Sequence, residues 1–239
     1  MLPGLDGTGR LYERLATVLA ADFDVRLIAY PDDGFEGYAA LAETVARRLP
    51  LDRPYLIVAE SFAGPLAVML AAGRPPGLEG VVIAASFLCN PVAHATVLAR
   101  LLRLLPAWVP PPLPVLEAML MDTWKDAEVR RQLEASLRSA GRKVLKARLI
   151  AALKVDVRAE FQRIGVPVLY LWASRDRLLR GRVQDDFVMP VGQLRRIEIE
   201  APHFVFQASP GQAAAALREF VRDRVVSNAD QVLPAANSS

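Results

Sequence analysis

The 239-residue chain is 53% hydrophobic and 23% charged, with a mean hydropathy of +0.23, which suits one domain with a sizeable core and speaks against disorder. One cysteine, Cys89, excludes an internal disulfide framework and a Cys-rich zinc site, and two histidines, His94 and His203, leave little for a His-based metal centre. The net charge is only +3, and 25 of the 29 basic residues are arginine, whose high pKa lifts the calculated pI to 9.2; with no RNP-like, finger or Walker pattern, nucleic acid is not an expected partner.

In chain order, Met1-Leu2-Pro3-Gly4 enters a turn directly, without the basic segment and apolar run of a signal peptide. Phe23 to Tyr30, Pro54 to Ala59 and Gly80 to Ala85 read as strands, and Tyr38 to Leu49 and Phe62 to Gly73 as helices. Leu41, Val45 and Leu49 recur at i, i+4, i+8, and Leu66, Val68, Met69 and Leu70 make a nearly all-apolar helix. The strands are continuous apolar runs, as expected where helices cover both faces of a parallel sheet. This alternation predicts an α/β fold.

Gly80 to Ala99 is the longest uncharged stretch, but Ser86, Asn90, Pro91 and His94 and the lack of basic flanks make it a buried strand running into a loop, with no stable membrane span. The alternation then stops. Residues 88–158 read as a helical insertion in which Leu98, Leu101, Leu102 and Leu105, and later Leu145, Leu149 and Leu153, mark apolar stripes. Prolines 106, 110, 111, 112 and 114 break it, and Gly141 separates its last two helices. The insertion carries 12 Lys/Arg and 6 Asp/Glu, so the whole positive excess belongs to it. The α/β pattern resumes with strands at Pro167 to Trp172 and Leu194 to Ile199 and a helix from Pro210 to Val226, for which Ser209 is a candidate N-cap. Residues from Ser227 onward read as a mobile tail. The expected division is a core of residues 1–87 and 159–226, a cap of residues 88–158 and a tail of residues 227–239.

Ala59-Glu60-Ser61-Phe62-Ala63-Gly64 falls between a predicted strand and a predicted helix. A serine on such a sharp turn projects its hydroxyl above the sheet, and small residues at −2 and +2 let the backbone bend, although both are alanine here where glycine is usual. The plain alternative is a helix N-cap. Ser61 as a nucleophile needs a base, and His203, after the last predicted strand, is favoured over His94 in the insertion. Asp176, just beyond the end of the Pro167–Trp172 strand, is the candidate to orient His203; Asp185 and Asp186 are rivals that fall in a predicted helix.

The order Ser61, Asp176, His203, together with Leu2-Pro3-Gly4-Leu5-Asp6-Gly7-Thr8-Gly9, resembles the α/β-hydrolase superfamily over about Leu2 to Ser86 and Ile164 to Val226. The resemblance implies a mostly parallel sheet flanked by helices with a helical cap, and a serine carboxylesterase acting on short- to medium-chain acyl esters, with no metal or organic cofactor. It also implies an oxyanion hole from the backbone N–H groups of Leu5 and Phe62. The family's first strands have no counterpart, so the sequence is expected to be shortened, or the segments at Phe23–Tyr30 and Pro54–Ala59 to pair directly, or another segment or chain to complete the sheet, the last giving a dimer. The cap would line an acyl pocket with Leu98, Leu102, Trp108, Leu116, Met119, Met121 and Trp124, against the plainer expectation that these residues pack on one another. Arg138, Arg142 and Lys146, at i, i+4, i+8, read as a solvated face or as a site for an acidic carrier protein, which keeps open a resemblance to pimeloyl-[acyl-carrier protein] methyl ester esterase. Thioesterase and lysophospholipase activities stay open too, as does a non-catalytic small-molecule-binding role. Cysteine usage and the absence of a leader pattern suit the cytoplasm.

Overall fold

The computed structural model describes residues 1–89, 91–92, 94–104, 106, 113–179 and 183–232, with side chains excepted at 113 and 224–232. Four parallel strands, β1 (Tyr55–Glu60), β2 (Leu78–Ala84), β3 (Val168–Ala173) and β4 (Leu194–Ile199), lie in that order across the sheet. Each apolar run alternates between two cores, as strand periodicity requires. Val81, Ile83, Val168 and Tyr170 pack with α2 (Tyr38–Ala46) and α3 (Ala63–Ala72). Val82, Ala84, Leu169 and Leu171 turn to the other face, against α1 (Glu13–Leu19) and α10 (Pro210–Val232). Both faces are therefore covered, which is why the central strands β2 and β3 are apolar on both.

Between β2 and β3 the chain builds α4 (Ala95–Leu104), α5 (Leu113–Leu120), α6 (Ala127–Ser139) and α7 (Arg142–Ala152), then the single turn α8 (Arg158–Phe161). Another single turn, α9 (Val205–Ala208), follows β4. Among the described residues no helix is long and apolar enough to cross a membrane.

Several expectations are corrected. Phe23 to Tyr30 forms no strand. Its upper half hydrogen-bonds to the first residues of the chain, Ile28 N–H to Met1 O at 3.1 Å and Tyr30 N–H to Gly7 O at 2.8 Å. The position beside β1 is held instead by Leu2, whose N–H donates to Val58 O at 2.8 Å and which pairs in parallel with Ala59. Direct pairing of Phe23–Tyr30 with β1 does not occur: below Leu2 the two segments line a cavity of about 210 Å³, with Phe23, Val25 and Arg26 on one side and Tyr55, Leu56 and Val58 on the other.

The helix expected over Tyr38 to Leu49 ends at Ala46. The last helix runs on to Val232, beyond the expected start of the tail at Ser227. Ser209 does stand at the N-cap position of this helix, its carbonyl accepting from Ala213 N–H at 3.1 Å, while its hydroxyl donates to Glu200 O at 3.2 Å. Gly141, at φ +70°, does separate α6 from α7, and for that reason Arg138 lies on a different helix from Arg142 and Lys146 and the three form no single stripe. In α7 the most buried positions are not Leu145 and Leu149 but Val144, Arg148 and Ala152; Leu149 and Leu153 instead pack against Ala95 and Ala99 of α4.

Candidate active site

Ser61 follows β1 and precedes α3, at φ +56°. A non-glycine residue in the left-handed region is strained and persists only where its surroundings hold it. Here Ser61 N–H donates to Ala84 O at 3.0 Å, and Ser61 O accepts from Gly64 N–H at 3.0 Å and from the Ser86 hydroxyl at 2.6 Å. The small-residue requirement falls on Gly64, where a Cβ would lie 1.9 Å from Ser86 Oγ. Ala59 and Ala63, at the positions usually given to glycine, are fully buried.

His203 lies beyond the end of β4 and Asp176 beyond the end of β3. The sheet aligns these ends: Ser174 N–H donates to Ile199 O and Arg175 N–H to Ala201 O, both at 3.0 Å. His203 Nε2 is 2.8 Å from Ser61 Oγ, and Nδ1 is 2.7 Å from Asp176 Oδ2. Asp176 Oδ1 accepts from the N–H groups of Leu178 and Leu179 at 2.8 Å each. A carboxylate can only accept, so Nδ1 carries the proton and Nε2 is left to accept from the Ser61 hydroxyl. Burial opposes a charged imidazolium; the charge and hydrogen bond of Asp176, with a smaller contribution from Glu60, outweigh it and raise the His203 pKa above its ordinary value. The rivals are elsewhere: Asp186 is 3.5 Å from Cys89 Sγ, Asp185 shares its short 3-10 turn, and His94 is exposed at the start of α4.

Because Leu2 pairs in parallel with Ala59, the chain from Pro3 onward runs on in the direction of the turn that carries Ser61. Among the described residues neither the Leu5 N–H nor the Phe62 N–H has a protein acceptor. Phe62 is anchored from both ends: Tyr38 stacks on its ring at 4.7 Å and donates to its carbonyl at 2.9 Å.

The cap residues expected to line a pocket are not brought together. Leu98 is 40% exposed on the outer side of α4. Leu102 packs within the small α4–α7 cluster, and Met121 and Trp124 join the core shared with α1 and α10. Leu116 and Met119 are half-buried on α5, and Trp108 lies outside the described residues.

Three further features carry no motif that the sequence could disclose. Glu60, beside Ser61, is buried and accepts from Phe206 N–H at 3.1 Å and Gln207 Nε2 at 3.0 Å. Burial pushes its pKa up to about 7 against the lowering effect of those two donors. Arg148 of α7 is 1% exposed and reaches the Leu2–Gly9 loop. The helices between β2 and β3 also meet the segments that carry Asp176 and His203, through Phe204 N–H to Leu120 O at 3.2 Å and an Arg177–Asp122 ion pair at 2.5 Å.

A serine, an imidazole and a carboxylate aligned above the carboxyl ends of a parallel sheet are the arrangement of the α/β-hydrolase class. The chain belongs to the alpha/beta hydrolase family, whose pattern it matches over residues 1–217. No curated protein matches it. Among solved structures it is similar to a hydrolase from Oleispira antarctica (TM-score 0.78, 16% identity, 92% of this chain and 88% of that one). It is also similar to the enol-lactonase from Burkholderia xenovorans (0.73, 16%, 93% and 88%) and to a thermophilic esterase from Thermogutta terrifontis (0.70, 16%, 90% and 86%). At these identities the likeness establishes the fold.

Proposed function

We propose that the protein is a serine carboxylesterase that cleaves short- to medium-chain acyl esters through an acyl-enzyme intermediate. The observation that carries the reading is the continuous relay Ser61 Oγ, His203 and Asp176, with separations of 2.8 and 2.7 Å. Ser61 Oγ attacks the ester carbonyl as His203 Nε2 takes its proton. The N–H groups of Leu5 and Phe62 receive the developing oxyanion. His203 then protonates the leaving alcohol, and Asp176 stabilises the imidazolium throughout. A water molecule activated by His203 attacks the acyl-Ser61 ester, and the acid departs.

An esterase and a lactonase among the structural neighbours are consistent with carboxylic ester substrates. Recognition of an acidic carrier protein is less well supported, because Arg138 does not share a helix with Arg142 and Lys146.

The purified protein is expected to hydrolyse p-nitrophenyl butyrate and to be labelled by a fluorophosphonate. Ser61→Ala and His203→Ala should each lower kcat by about 10³-fold or more, and Ser61→Ala should abolish labelling. Turnover that survives both substitutions would remove the mechanism. Absence of both turnover and labelling in the parent protein would favour a non-catalytic binding role.

A further inference from the structure

The Leu2–Gly9 loop carries the Leu5 amide, yet only its first residues are held by the sheet. The rest is held by a few backbone bonds at Gly4, Gly7 and Gly9 and by side chains. Arg148 Nη1 donates to Leu5 O at 3.1 Å and to Asp6 O at 2.8 Å, and Nη2 donates to Pro31 O at 2.7 Å. The guanidinium lies over the Tyr30 ring, 5.4 Å from its centroid, and the Tyr30 hydroxyl donates to Pro3 O at 2.8 Å. Gly7, at φ +72°, passes so close that a Cβ there would sit 2.5 Å from Arg148 Nη1. The loop is thus shaped around this one side chain.

These bonds fix the direction of the Leu5 N–H. In a planar trans peptide the N–H points opposite to the preceding C=O. Gly4 O is held by Gly7 N–H at 3.1 Å, and the next carbonyl, Leu5 O, is held by Arg148. The Gly4–Leu5 peptide, which carries the Leu5 N–H, therefore cannot flip without breaking the bond from Gly7 N–H to Gly4 O, and Arg148, by holding Leu5 O and Asp6 O, fixes the next two peptides, the second of which carries that Gly7 N–H. A fork of fixed geometry satisfies several carbonyls at once, whereas a lysine ammonium has no such rigid fork. An arginine buried there is otherwise costly, and among the described residues Arg148 pairs directly with no carboxylate, Asp6 and Asp32 offsetting its charge only from a distance.

We propose that Arg148 is a positioning residue for the oxyanion hole: from cap helix α7 it holds the Leu5 N–H in place, so that correct seating of the cap and stabilisation of the transition state are coupled. The proposal rests on the esterase reading above and on Leu5 as an oxyanion donor. Arg148 touches no reacting atom. Its effect reaches the chemistry through the loop, so its loss weakens the transition state by the same factor whatever acyl chain is bound.

Arg148→Met and Arg148→Lys should be compared with the parent and with Ser61→Ala on p-nitrophenyl acetate, butyrate and hexanoate. The expected result is a fall in kcat of about 10- to 100-fold, less than the roughly 10²- to 10³-fold cost of removing an oxyanion donor outright because the Leu5 N–H is loosened and not deleted, with KM within about two-fold. That factor should be equal for all three esters, and Arg148→Lys should lie between Arg148→Met and the parent. The affinity of a trifluoromethyl ketone, which forms an anionic hemiketal, should fall by a similar factor. Unchanged kcat in a folded variant, or a loss that grows with acyl length as expected of a pocket-lining role, overturns the proposal. If Arg148→Met does not fold, Arg148→Lys alone decides by the same criteria. Turnover that survives Ser61→Ala would instead overturn the serine reading on which the proposal rests.

Discussion

The two halves of the site are built by different means. Ser61, Asp176 and His203 sit one or a few residues beyond β1, β3 and β4, and their spacing follows from the backbone ladder and its immediate extensions. The Leu2–Gly9 loop has a single bridge to that ladder, Leu2 to Ala59, and beyond it is held by scattered backbone bonds, such as Tyr30 N–H to Gly7 O, together with side chains, chiefly the hydroxyl of Tyr30 and the guanidinium of Arg148. A ladder of many backbone bonds tolerates the loss of any one side chain, and a loop with few backbone bonds and most of its carbonyls held by side chains tolerates it less. The halves should therefore respond differently to substitution. In the first, damage comes from changing the reacting groups themselves; in the second, from changing residues that never meet the substrate.

The largest expected effect within the ladder-held half, short of removing Ser61 or His203, is that of Asp176→Asn. It keeps the shape but ends the charge that favours imidazolium and permits the wrong His203 tautomer, so kcat should fall by about 10³- to 10⁴-fold. The pH profile gives a second readout. His203 must be neutral to accept the Ser61 proton, and Asp176 raises its pKa above the ordinary value, so the acid limb of kcat/KM in the parent lies above that value. Without the carboxylate, burial dominates and lowers the pKa, and the acid limb of the residual activity should move to lower pH. A limb that stays in place would show that another group titrates.

Tyr30→Phe tests the side-chain-held half with the smallest change available. One hydrogen bond to Pro3 O is lost while the ring beneath Arg148 remains. A single buried bond of this kind contributes about 1 kcal/mol, so kcat should fall by about three- to tenfold with KM little altered. An effect confined to KM would mean that the loop shapes the substrate site and leaves the oxyanion donor where it was.

The same division decides what can be read from the sequence. Strand ends and a serine turn leave local signatures, so Ser61, Asp176 and His203 are legible as candidates, and β4 is expected at the residues where it occurs. Phe23–Tyr30 has the composition of a strand but not the partner, because Leu2 takes the place beside β1. Strand propensity records fitness for a half-buried pleated surface and does not record which neighbour is there. Arg148 leaves no local signature at all. It acts on backbone carbonyls, which every residue has, more than a hundred positions away in the chain. Its helix is legible from the leucine stripe at 145, 149 and 153, but that stripe hides a second buried face on which an arginine takes the central place. Of the apolar residues expected to line a pocket, Leu102 and Met121 pack into clusters while Leu98 stays exposed, and apolar periodicity does not distinguish either outcome from lining a pocket.

Glu60 joins the two kinds of construction, since it lies on β1 but holds the turn after His203 by its side chain. Its effect should fall on stability and hardly on rate. The pKa of about 7 exceeds the ordinary carboxylate value of 4.5, so between those two pH values the native state binds more protons than the unfolded one. Stability from this group is therefore greatest below about pH 4.5, declines as pH rises and is lost above 7. Glu60→Gln stays neutral throughout. Its amide oxygen can accept from Phe206 N–H, and its NH₂ can donate to Gln207 Oε1, which has no partner in the native arrangement. The variant should be more stable than the parent by about 2 kcal/mol at pH 8, with the advantage gone by pH 4.5, while kcat at pH 8 stays within about two-fold. Urea midpoints at the two pH values measure this directly. If Glu60→Gln is the less stable protein at pH 8, the ionised carboxylate is an anchor for the His203 turn, and the joint belongs with the side-chain-held half of the site.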